Sequence, residues 1–104
     1  MNKVIYIAGK IHGNPNYQVE FDAAESYCSW KGWTVLNPTC LPDDMSAEKY
    51  LPICLAMLNA ADAIVLLNGW ETSPGANLEA DFARYQNKIV IHGLENVPDV
   101  SAYV

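Results

Sequence analysis

Asp62-Ala63-Ile64-Val65-Leu66-Leu67-Asn68-Gly69-Trp70-Glu71-Thr72 runs directly into Ser73-Pro74-Gly75-Ala76-Asn77-Leu78-Glu79-Ala80-Asp81-Phe82-Ala83-Arg84-Tyr85-Gln86. The first segment opens on the most apolar run of the chain, the profile of a strand buried on both faces. The second reads as a helix, with Ser73 as its N-cap and Pro74 at the first helical position, where a missing N–H costs nothing. At about 100° per residue, Asn77, Asp81 and Arg84 share a polar arc. Leu78, Phe82 and Tyr85 gather on a second side, and Ala76, Ala80 and Ala83 on a third. Glu79 falls between the two apolar sides and therefore points toward the core. A carboxylate there needs a partner or a task, and a nearby helix N-terminus favours its charge. The alternative, Glu79 at a wetted boundary beside Gln86, stays open on spacing alone.

The chain on either side repeats the strand-then-helix theme. Lys3-Val4-Ile5-Tyr6-Ile7-Ala8 predicts a first buried strand. Gly9-Lys10-Ile11-His12-Gly13 follows as a glycine-bearing loop, with Asn14 and Pro15 as cap and first position of the next helix. A strand, a glycine loop and a helix start suit an anion, and a plain turn is the competing reading. Tyr17, Phe21, Ala24 and Cys28 recur at helical spacing, with Gly32 as the stop. Trp33-Thr34-Val35-Leu36 is the second strand, ended by Asn37-Pro38. Ser46 caps a helix that Pro52 should kink or restart before Asn59. Lys88-Ile89-Val90-Ile91-His92 is the fourth strand, and 93–104 read as an edge strand or an arm onto a neighbour. The alternation predicts a small doubly wound α/β domain over 1–104. It is flavodoxin- or Rossmann-like, with a parallel sheet of four or five strands flanked by helices. Its site should lie where the strand ends and the Ser73 helix start converge.

Composition narrows the function classes. The chain has 104 residues, a 51% apolar fraction and a formal charge of −6 with only six Lys and Arg. No basic run exists to grip a nucleic-acid backbone. No apolar run approaches the length of a membrane span. Cys28, Cys40 and Cys54 are odd in number and lack metal-like spacing, which predicts free thiols, a reducing cytoplasm and no metal.

Ile5-Tyr6-Ile7-Ala8-Gly9-Lys10-Ile11-His12-Gly13, Ala61-Asp62-Ala63-Ile64-Val65, Gly69-Trp70-Glu71 and Ser73-Pro74-Gly75-Ala76-Asn77-Leu78-Glu79 resemble, in order and spacing, the nucleoside 2-deoxyribosyltransferase superfamily. The match is nearest to its small, often phage-encoded branch, and the deoxynucleoside 5′-monophosphate N-glycosidases are similar too. The resemblance implies that Glu79 is a nucleophile toward C1′ of a 2-deoxynucleoside or its 5′-monophosphate, oriented by Tyr6. It implies that Gly9, Lys10, Ile11, His12, Gly13, Ser73 and Gly75 hold substrate or phosphate. Asn37, Trp70 and Glu71 are candidates for the base or for an acid. No cofactor is implied, and the pocket should be completed in a homo-oligomer, dimer or tetramer, through 93–104, Trp30 or Trp33. One departure stands out. The aspartate that relatives carry eight residues before the position of Asp62 is Cys54 here. Glu71, Asp43 or Asp44 would have to replace it, or the protein binds a nucleotide without turning it over.

Overall fold

The computed structural model describes residues 3–103. Four strands form one parallel sheet: β1 (Val4–Ala8), β2 (Thr34–Leu36), β3 (Ala63–Leu66) and β4 (Ile89–His92), in the order β2-β1-β3-β4. Three helices connect them: α1 (Tyr17–Trp30), α2 (Ala47–Ala60) and α3 (Pro74–Tyr85). Short 3-10 turns occupy Pro38–Cys40, Trp70–Thr72, Leu94–Asn96 and Val100–Tyr103. The sequence-predicted doubly wound α/β architecture is therefore present, with four strands.

Strand alternation sorts the core into two layers. Ile5, Ile7, Ala63, Val65 and Ile91 face α1, meeting Phe21, Ala24 and Cys28. Tyr6, Ala8, Ile64 and Leu66 face α2 and α3, meeting Cys54, Leu58, Ala80 and Ala83. The alanine side of α3 is thus the buried one, whereas Leu78 and Tyr85 are exposed. Small residues let α3 lie close on the sheet, which carries Glu79 inward with them. Asp62 fixes register rather than chemistry: its Oδ2 accepts the Val4 N–H at 2.9 Å, and its carbonyl accepts from Ile89.

Several expectations are corrected. The first helix starts at Tyr17, not at Pro15. Asn14 instead folds the preceding turn, donating to the Lys10 carbonyl and to Glu20 while accepting the Asn16 N–H. Helix α2 continues through Pro52. The proline removes one N–H, and the carbonyl it orphans, that of Glu48, belongs to an exposed residue that water can serve. Residues 93–103 form neither an edge strand nor a free arm. They fold back so that Val100 N–H meets the Lys31 carbonyl at 2.9 Å, while Trp33 Nε1 donates to the Pro98 carbonyl at 2.9 Å. Trp33 is consequently buried within its own chain, packed against Tyr103, and is not available to a neighbour. The three cysteines are free thiols as expected, with Cys28 and Cys54 buried and Cys40 exposed. No described helix is long and apolar enough to cross a membrane.

Candidate active site

The strand order reverses between β1 and β3, so their carboxyl ends diverge into a crevice. A cavity of about 700 Å³ opens there, floored by Tyr6 from β1, Cys54 from α2 and Glu79 from α3. Three sequence choices build that floor. The period-2 pleat turns Tyr6 to the α3 side. Ser73 caps α3, accepting the Ala76 N–H at 3.2 Å, and so sets where the first turn begins. Alanines on either side of Glu79 then bring the carboxylate down onto the tyrosine, leaving it 7% exposed.

Tyr6 Oη donates to Glu79 Oε2 at 2.5 Å, a short charge-assisted geometry. Glu79 Oε1 takes no hydrogen bond among the described residues and is left to the cavity. Burial pushes the Glu79 carboxyl up to about 7, a rise only partly opposed by the Tyr6 hydrogen bond. Burial, and then the Glu79 carboxylate, raise Tyr6 far above the ordinary phenol range, so it stays protonated as the donor. Cys54 neighbours the hydroxyls of Tyr6 and Tyr50, and burial raises its thiol to about 11.

Of the residues singled out from the sequence, the cavity brings together Tyr6, Gly9, Ile11, His12, Gly13, Ser73, Gly75 and Glu79. Lys10, Asn37, Trp70 and Glu71 are outside its lining. Asn37 is buried in structural work: its amide donates to Glu25, and its Oδ1 accepts from Thr39. Trp70 sits beside His92, with the Arg84 guanidinium over its ring. Glu71 is exposed and lines a separate polar hollow with His92 and Glu95. Asp43, named only as a substitute acid, does reach the lining. Sequence reasoning missed Tyr17, Thr39, Met45 and Tyr50. Tyr50 was findable, because its four-residue spacing from Cys54 puts the two on one face of α2.

Two backbone features shape the loop side. A Cβ on Gly9 would stand 3.2 Å from both Leu67 Cβ and Phe21 Cζ, so a side chain there would need its neighbours to give by a few tenths of an ångström. A Cβ on Gly75 would meet nothing within 4 Å; its bareness serves the cavity, not the packing. With Pro74 lacking an N–H and Ala76 N–H given to Ser73, the Gly75 N–H is the donor left at this helix start.

The family model described as "Domain of unknown function (DUF4406)" matches residues 3–92. The chain belongs to the DUF4406 family. DUF4406 is a family of the nucleoside 2-deoxyribosyltransferase superfamily. Among solved structures, this DUF4406 chain is similar to one titled "2-desoxiribosyltransferase from Leishmania mexicana". The TM-score is 0.68 at 25% identity, over 86% of the DUF4406 chain. The DUF4406 chain spans 63% of that protein's length. No functionally curated protein matches it.

Proposed function

We propose that this DUF4406 protein breaks the N-glycosidic bond of a 2-deoxynucleoside or its 5′-monophosphate through a covalent deoxyribosyl ester on Glu79. The reading rests above all on one observation, a buried carboxylate at the cavity floor with one oxygen held by Tyr6 and the other unengaged. The fold likeness to a deoxyribosyltransferase supports it. Glu79 Oε1 attacks C1′ as the C–N bond breaks, and the carboxylate shields the positive charge that develops on the sugar. Tyr6 fixes the carboxylate's orientation. Water, or a second base, then attacks C1′ and frees Glu79. The Gly9–Gly13 loop, the Gly75 N–H and Ser73 are the groups suited to a 5′-phosphate, with the His12 imidazole in the same lining.

The test is a panel of deoxynucleosides and monophosphates, read for free base and for a sugar adduct by intact mass. Glu79→Gln should fold and lose both, with base release falling on the order of 10⁴-fold or more. Normal turnover by the folded variant would overturn the nucleophile assignment. Cys54 favours a second reading. A protonated thiol near 11 is a poor acid for a departing base, so the same pocket would hold a nucleotide without cleaving it. Saturable binding without base release distinguishes this outcome.

A further inference from the structure

We propose that the site prefers N-glycosides whose base is cationic before the bond breaks, such as pyridinium or N-alkylated purine nucleosides. The proposal rests on the nucleophilic reading of Glu79. When C1′–N cleaves, the bonding pair stays on the ring nitrogen. A neutral base leaves as an anion and needs a proton from an acid. A cationic base is neutralised by the same pair and needs none.

The side chains around the cavity have few protons to give. The Tyr6 O–H is committed to Glu79. Tyr50 donates to the Pro38 carbonyl at 3.0 Å, and Thr39 Oγ1 to Asn37 Oδ1 at 2.7 Å. Thr72 donates to the Gly69 carbonyl. Burial holds the Cys54 proton on sulfur. What remains in the lining is Tyr17, Ser73, His12 and Asp43, and none of these is buried. The same space suits a cation. Its side chains include the carboxyls of Glu79 and Asp43 but no Lys or Arg, and the rings of Tyr17, Phe21 and Tyr50 border it. The chain as a whole carries −6. Coulomb attraction and aromatic faces both favour a positively charged heterocycle.

The step balances without an acid. A Glu79 oxygen bonds to C1′, and the C–N pair cancels the charge on the ring nitrogen, so the base departs neutral. Water then bonds to C1′. The ester C–O pair returns to Glu79, and the water's proton passes to solvent.

Matched substrates test this on the native protein: 2′-deoxyadenosine against its N7-methylated cation, with the 2-deoxyriboside of nicotinamide as a second cation. Each rate is corrected for spontaneous hydrolysis in enzyme-free controls. The cations should exceed the neutral nucleoside in kcat/KM by about a hundredfold or more, the scale of one general acid. Cys54→Asp should raise the neutral substrate's rate relative to the cations and so narrow the ratio between them, and the native comparison stands even if that variant misfolds. Equal corrected rates would overturn the preference. So would Asp43→Asn, His12→Ala or Tyr17→Phe slowing only the neutral substrate, because that residue would then be an acid. Either result leaves a Glu79 adduct in place. The absence of any adduct or base release from all three substrates would instead overturn the nucleophilic reading itself.

Discussion

Glu79 is held where its charge is poorly hydrated, and that has a sign in stability. Its carboxyl sits at about 7 in the fold, against about 4.5 in the open chain. Between those values the folded state binds the proton more tightly. The stabilisation is therefore complete below about 4.5 and is lost as pH rises through 7, a change of about 3 kcal/mol. Glu79→Gln never ionises and keeps an oxygen for Tyr6. Its melting temperature should match the parent's near pH 4 and exceed it by on the order of 10 °C at pH 8; thermal melts across that range check it, and an advantage that shrinks with pH refutes it. Tyr6→Phe removes the one interaction that lowers the carboxyl's pKa. Any Glu79-dependent activity should persist at reduced rate, with its pH profile displaced upward; an unmoved profile would make Tyr6 core alone. The inward angle of Glu79 was legible in the sequence because alanines at helical spacing mark the face that packs closest. Its partner was not legible from local spacing, because Tyr6 lies 73 residues away.

At the scale of elements, the sequence is clearest where one physical cue dominates. Strand β3 is a continuous apolar run, and α3 has a cap, a proline and a clean alanine stripe. It is least clear where a distant partner decides. Residues 93–103 look like a strand or arm until the Lys31 carbonyl and the Trp33 indole are seen to hold them. Pro52 looks like a break until the residue whose carbonyl it frees, Glu48, proves to be exposed. Gly75 offers an element-scale test, since nothing in the protein requires its missing side chain. Gly75→Ala should leave the fold intact, with a gain of up to about 1 kcal/mol from helix propensity. Its methyl would stand in the cavity beside the free N–H. Calorimetry should find monophosphates binding better than their nucleosides in the parent, and Gly75→Ala should narrow that gap. An unchanged gap would remove the α3 start from the phosphate site.

At the scale of the whole molecule, alternation of buried strands and helices made the α/β class readable, and the switch point placed the crevice. What closes the crevice was not readable. The two aromatic residues considered for a subunit contact separate in the structure: Trp33 is buried under its own chain, and Trp30 is 77% exposed on α1. The cavity mouth supplies a better candidate. Leu78 lines the cavity yet is 45% exposed, and a second copy of the chain seated there would bury it and shield the Glu79 carboxylate from water. Light scattering should accordingly find a dimer or tetramer. Leu78→Glu, on the exposed rim of an otherwise unaltered helix, should reduce it to monomers and weaken nucleotide binding at the same time. Trp30→Glu is the control and should leave both unchanged. Should Trp30→Glu dissociate the assembly while Leu78→Glu does not, the interface is on α1 and the cavity is complete within one chain. A parent protein that is monomeric at working concentration would exclude a neighbouring subunit from the site altogether.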